Sequence, residues 1–240
     1  MRISRHAFLR MSGVSFLAAA ARRAMGAITG PRWGMAIDVA KCLKQGNCTK
    51  CIAACNQAHN VPSIPDHAHE VRWIWKDPLE QAFPGQMDEY SPLRAAPAMM
   101  LCNHCENPPC VRVCPTQATW KRDDGIVDMD WHRCIGCRYC MAACPYGSRS
   151  FNWMDPRRYI QHPNAEFPTR TKGVVEKCTF CTERLVAGRL PGCVEACPEK
   201  ALVFGNLADP HSPIRELLAK RQHLRRRPEL GTGPAVFYIV

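Results

Sequence analysis

The sequence predicts an α+β fold, in which short strands and brief helices alternate around cysteine-rich loops. Three observations predict it. Sixteen cysteines fall into four groups of four along the 240 residues. Strand-like stretches sit directly beside those groups, at residues 33–39 and 124–130. The segment 110–118 is echoed by 193–201, both reading C-V-x-x-C-P-x-x-A, which marks an internal repeat.

Taken in order, residues 1–26 read as an export signal. Ser4-Arg5-His6-Ala7-Phe8-Leu9-Arg10 resembles a twin-arginine box, with His6 in place of the second arginine. A modest apolar stretch follows at 11–21, then Arg22-Arg23 and small residues, the order of regions a signal shows. Residues 33–39 form a strand leading into Cys42, Cys48, Cys51 and Cys55. An insertion at 60–98 is rich in Pro and His and carries an alternating strand at 71–76. Next come Cys102, Cys105, Cys110 and Cys114, then the turn and strand at 124–130, then Cys134, Cys137, Cys140 and Cys144. A second insertion, 154–171, precedes Cys178, Cys181, Cys193 and Cys197. A third, 205–230, holds a basic helical stretch, and the apolar run 235–240 reads as a buried strand. That closing run is far shorter than the roughly 18 apolar residues of a spanning helix, so membrane contact is expected only through partners.

The third group reads C-x2-C-x2-C-x3-C-P, the bacterial ferredoxin run, in which three thiolates hold one cubane and the fourth reaches its neighbour. Disulfides are a poor alternative, because cysteines two residues apart would close small, strained rings. Zinc ribbons also use C-x2-C pairs but have no use for a third cysteine followed by x3-C-P. Covalent c-type haem is not indicated, since no C-x-x-C is followed by His. The spacing therefore points to four [4Fe-4S] clusters, wrapped by loops and short helices and closed by small strands.

The formal charge of +11 would ordinarily suggest nucleic acid or an anionic surface. Cleavage after residue 26 would remove five arginines and no acid. Each oxidised cubane with its thiolates adds about two negative charges. The basic balance thus compensates the clusters, and no nucleic-acid partner is expected.

Taken together, the four groups resemble the four-cluster ferredoxin-like electron-transfer subunits of respiratory complexes. The marks are C-x2-C-x4-C-x3-C-P in the second group and C-x2-C-x11-C-x3-C-P in the fourth, with residues 144–149 and 230–236. The first group reads C-x5-C-x2-C-x3-C. With Ala58-His59-Asn60-Val61-Pro62 and Trp73-Ile74-Trp75-Lys76, it is most similar to the exported iron–sulfur subunits of sulfite-reduction-associated (Dsr) membrane complexes. The resemblance implies a duplicated bacterial-type 2×[4Fe-4S] ferredoxin-like fold over residues 27–240. It also implies crossed ligand sets. An outer pair from 42–55 and 178–197 would use Cys42, Cys48, Cys51 with Cys197, and Cys178, Cys181, Cys193 with Cys55. An inner pair from 102–114 and 134–144 would use Cys102, Cys105, Cys110 with Cys144, and Cys134, Cys137, Cys140 with Cys114. The implied partners are an integral quinone-reactive membrane subunit and a multihaem c-type cytochrome, and the implied place is the periplasm.

One-electron relay with no substrate site is the function this supports. A catalytic oxidoreductase acting alone would need a nucleotide loop or a nucleophile–base pair, and neither is found. A partner molybdenum reductase and a zinc-dependent nucleic-acid binder remain alternatives. Arg133, Arg138 and Lys177 are expected as solvated surface charges. His59, His67, His69, His104 and His132 are expected as surface or packing residues, and Trp73, Trp75, Trp131 and Trp153 as shields of the clusters.

Overall fold

The computed structural model describes residues 30–240, and the expected export signal lies outside them. The chain opens with β1 (Trp33–Asp38), buried from Gly34 onward, and Asp38 caps the one-turn α1 (Val39–Leu43) by accepting the Lys41 N–H at 3.0 Å. Then come α2 (Lys50–Ala58), β2 (Ile74–Pro78), α3 (Leu79–Ala82) and β3 (Pro97–Leu101). The middle of the chain holds α4 (Pro109–Arg112), β4 (Thr119–Lys121), β5 (Val127–Met129), α5 (Tyr139–Ala142) and β6 (Ser150–Phe151). The last third holds β7 (Val175–Glu176), α6 (Thr182–Val186), α7 (Gly192–Glu195), β8 (Leu202–Asn206), α8 (Pro213–Lys220), β9 (His223–Leu224) and β10 (Val236–Ile239). Among the described residues, no helix is long and apolar enough to cross a membrane.

A four-stranded sheet, ordered β8-β1-β10-β9, joins the two ends of the described chain. β1 runs parallel to β10, with Met35 opposite Val236, and antiparallel to β8. All four residues of β10 are buried, so the closing strand is the covered one its composition predicts. Three two-stranded ladders, β2–β3, β4–β5 and β6–β7, sit beside the cysteine groups. The strand expected at 71–76 starts later, because the register of β2 is fixed from Ile74↔Leu101 to Pro78↔Pro97. Residues 72 and 73 are tied elsewhere: the Arg72 N–H donates to Ser150 Oγ at 2.9 Å and Trp73 Nε1–H to Glu176.

Three Cys-Pro groups share one local geometry. A single helical turn carries the third cysteine of each: Cys110 on α4, Cys140 on α5 and Cys193 on α7, all buried. The next cysteine donates its N–H three residues back, from Cys114 to Val111, Cys144 to Met141 and Cys197 to Val194, at 3.2–3.3 Å. Proline then disfavours helical backbone at that cysteine's position, and the turn ends. Three residues on, Gln117, Gly147 and Lys200 all take positive φ (53°, 63° and 48°) and donate back to the cysteine carbonyl. The first group lacks the proline. There α2 runs on past Cys55 to Ala58, so Cys51 and Cys55 lie one turn apart on its buried face.

The principal hydrophobic core packs Trp73, Phe83, Met99, Phe180 and Tyr238 around Cys51, Cys55, Cys102, Cys178 and Cys193. The sulfur sites are thus inside the core. The insertion at 154–171 straps the end of α2: Asn60 and Asn164 exchange hydrogen bonds, and Asn164 Nδ2–H donates to the Ala58 carbonyl at 2.8 Å.

Candidate metal centres

Cysteines far apart in sequence converge. Cys102, Cys105, Cys110 and Cys144 line one cavity, together with Asn103 and Arg149. Cys42, Cys48, Cys51 and Cys197 line another, closed by Met99 and Leu202. Cys55 is buried beside Cys178, Cys193 and Cys181, whose charges act on it. In the remaining group, burial raises the Cys140 pKa, with Arg149 opposing and Cys110 and Cys134 adding to it, while hydrogen bonds from backbone amides and the Thr116 hydroxyl outweigh burial and lower that of Cys114. Cys137 is half-buried.

These sets also neighbour one another. Cys51 acts on Cys55 and Cys193, Cys102 on Cys178, and Cys110 on Cys140. The order of proximity is therefore the Cys42 set, the Cys178 set, the Cys102 set and the Cys134 group. Cys42, Cys48 and Cys197 at one end, and Cys114, Cys134 and Cys137 at the other, are half-buried, as is Cys144 of the Cys102 set, while Cys55, Cys178, Cys181 and Cys193 are covered. Beside the Cys134 group, Ile135, Tyr139 and Trp153 expose 68%, 62% and 42% of their surface, an apolar rim at the accessible end.

The donor set is one soft ligand type, and its electrostatics fit a cationic group held among the sulfurs. Burial first, and neighbouring thiols second, push Cys51 up to about 11 and Cys105 up to about 12. Cys55 and Cys193 are driven well above the ordinary thiol range for the same reasons. Four ionised thiolates cannot share such a space without metal among them, and iron or zinc meets that need. Backbone N–H groups also reach sulfur: Phe180 N–H to Cys178 Sγ at 3.4 Å and Ala201 N–H to Cys197 Sγ at 3.3 Å. Phe180 has φ 56°, a left-handed conformation that turns its amide inward.

Two buried cations stand at the centre. Lys177, expected on the surface, has no exposure and donates from Nζ to the Val127 and Cys178 carbonyls. Burial would lower the Arg149 pKa, but the thiols of Cys110, Cys140 and Cys102 outweigh it and raise it; the side chain also donates to Thr119 Oγ1 at 3.0 Å. Sequence reasoning passed over Arg149 as a charge, since Ser148-Arg149 carries no burial signal. Arg133 and Arg138 are exposed, as expected; Arg138 lies over the Phe151 and Trp153 rings.

Of the five histidines singled out from the sequence, His67, His69 and His132 lie at or near the surface, while His59 and His104 are buried. Burial opposes charge on His59, but hydrogen bonds to Cys181 and Glu183 prevail and raise its pKa to about 9. Its Nε2 lies 3.0 Å from Glu183 Oε1, and the ring stacks on Trp73 at 4.6 Å. His59, Cys181 and Glu183 lie close enough to hold an ion, but Cys181 already belongs to the Cys55 set. Burial, with Lys177 and Arg149 nearby, keeps His104 well below the usual imidazole range. Trp73 and Trp75 are buried and Trp131 is half-buried.

Comparison with known proteins identifies the metal chemistry. The 4Fe-4S dicluster domain family matches residues 96–158, and a second 4Fe-4S dicluster family matches residues 133–202. The chain is 44% identical to an "Hdr-like menaquinol oxidoreductase iron-sulfur subunit 1" of Archaeoglobus fulgidus, over 86% of this chain and 82% of the relative. It is 37% identical to a "Menaquinone reductase, iron-sulfur cluster-binding subunit" of Nitratidesulfovibrio vulgaris, covering 87% and 88%. It is 36% identical to the iron–sulfur subunit of an arsenate respiratory reductase of Shewanella sp. (strain ANA-3), covering 87% and 96%.

Proposed function

Since this chain belongs to the family of 4Fe-4S dicluster iron–sulfur subunits of menaquinol- and molybdoenzyme-type oxidoreductases, we propose that it relays single electrons through four [4Fe-4S] clusters. The observation that carries the number four is the convergence of distant cysteines into adjacent sites, two of them cavities lined by four thiols each. On this reading the ligand sets are Cys42, Cys48, Cys51, Cys197; Cys55, Cys178, Cys181, Cys193; Cys102, Cys105, Cys110, Cys144; and Cys114, Cys134, Cys137, Cys140. Bound there, each cluster supplies reversible one-electron storage.

The chain's own residues do the rest. The thiolates fix the sites, and the core around Cys55, Cys102 and Cys178 excludes water from the middle of the relay. Lys177 and Arg149 place positive charge beside the same middle sites, which favours electron uptake there. The less buried ends, at Cys42 and Cys134, are where partners exchange electrons.

The complex we propose is of the Dsr type, exported folded to the periplasm. Its partners would be an integral quinone-reactive membrane subunit and a multihaem c-type cytochrome. Support comes from the C-x5-C opening of the first group and the twin-arginine-like start. The menaquinol-linked name of the Archaeoglobus relative agrees with a quinone-reactive partner. Metal analysis with paramagnetic resonance during stepwise reduction tests the relay. About sixteen irons per chain with interacting cubane signals are expected; zinc without iron refutes it. Affinity isolation from the native membrane tests the partners. A haem-bearing subunit and a polytopic subunit are expected, and a molybdenum subunit instead would refute the Dsr assignment.

A further inference from the structure

Asn103 lies between Cys102 and Cys105, is 1% exposed, and lines the cavity those thiols share with Cys110 and Cys144. Its backbone carbonyl accepts from the Ala235 N–H at 2.8 Å, which pins the loop. Its side-chain amide, however, has no protein partner at either Nδ2 or Oδ1. Native folds rarely leave a buried amide so. The surface it does face is the sulfur cavity.

The neighbouring loop repeats the arrangement. Thr179 follows Cys178 as Asn103 follows Cys102, is 3% exposed, and its Oγ1 also lacks a protein partner. The next residues, His104 and Phe180, both take positive φ (42° and 56°), and their rings stack at 3.7 Å. The two loops therefore meet face to face, each with an unpaired polar side chain at the same position. The corresponding loops at the ends of the relay differ. Between Cys48 and Cys51 stand Thr49 and Lys50, both exposed. Between Cys134 and Cys137 stand the exposed Ile135 and the half-buried Gly136, which offer no side-chain donor.

We infer that Asn103 and Thr179 are cluster-tuning residues, the amide N–H of one and the hydroxyl of the other each donating a hydrogen bond to sulfur of its own buried cluster. This rests on the four-cluster reading above. A donor aimed at sulfur stabilises the reduced cluster, which carries one more negative charge, and so raises its potential. The two central sites are thereby raised relative to the ends by residues that hold no iron.

Redox titration of the holoprotein, followed by paramagnetic resonance, tests this. Asn103→Leu, of similar size and without a donor, is expected to lower the midpoint of one cluster and leave the others in place. Thr179→Val is expected to lower a different one. Asn103→Thr, which restores a donor in the form of a hydroxyl, should lie nearer the parent than Asn103→Leu. If Asn103→Leu loses iron, Asn103→Ala gives the same reading, since it removes the donor without adding bulk or charge. Midpoints unchanged in the iron-replete variants, or all clusters shifting together, overturn the inference. A parent protein without reducible iron signals would instead refute the relay itself, so the two failures are distinct.

Discussion

Replacing Arg170 with methionine strips the countercharge from a buried carboxylate. Arg170 and Glu176 side chains are 1% and 0% exposed, with Nη2 and Oε2 2.6 Å apart. Glu176 also accepts from Trp73 Nε1 at 2.9 Å and Asn152 Nδ2 at 2.5 Å. The guanidinium in turn donates to the carbonyls of His59, Asn60 and Pro168 and lies over the rings of Trp73, Trp131 and Phe167. In Arg170→Met the carboxylate keeps two neutral donors but no cation, which costs about 3–5 kcal/mol. That is roughly two to four decades in the folding equilibrium. A cluster protein does not unfold reversibly, so the measurable quantity is the rate at which visible cluster absorbance bleaches in denaturant. If only half the loss falls on unfolding, bleaching accelerates at least about tenfold. Arg170→Met/Glu176→Gln removes both charges and is expected to be closer to the parent than the single variant. A single variant within about threefold of the parent, or a double variant no slower than the single, would refute the argument.

Three further outcomes follow from the same geometry. Gly136→Ala is expected to lose iron from the Cys134 group, because Gly136 sits at φ +70° and a Cβ would collide with the Gly173 carbonyl oxygen; iron content per chain checks it. Arg149→Met removes a cation beside Cys102, Cys110 and Cys140, so the potentials of the clusters they hold should fall, as read by redox titration. Iron removal by chelation should collapse secondary structure by circular dichroism, since Cys51, Cys55, Cys102, Cys178 and Cys193 sit within the principal core.

The local elements were legible because local rules set them. The strand-like stretches at 33–39 and 124–130 marked β1 and β5, and the closing apolar run marked β10. β2 was misplaced by three residues because Arg72 and Trp73 are held by Ser150 and Glu176, 78 and 103 residues away, which no local pattern reports. Lys177 was misjudged for a related reason: a lysine next to a cysteine reads as solvated unless the Val127 carbonyl that receives it is known.

The sequence by itself determined the donor chemistry: sixteen thiols, their grouping, and the prolines that end each turn after the fourth cysteine of three groups. Those are covalent and short-range facts. The tertiary structure places Cys144 in one cavity with the Cys102 group and Cys197 in another with the Cys42 group, by packing rather than by sequence order. It alone put Lys177, Arg149 and Asn103 out of reach of water beside them. Burial and convergence arise from packing between segments distant in the chain, and the field at a sulfur atom is the sum of neighbours that sequence order does not bring together.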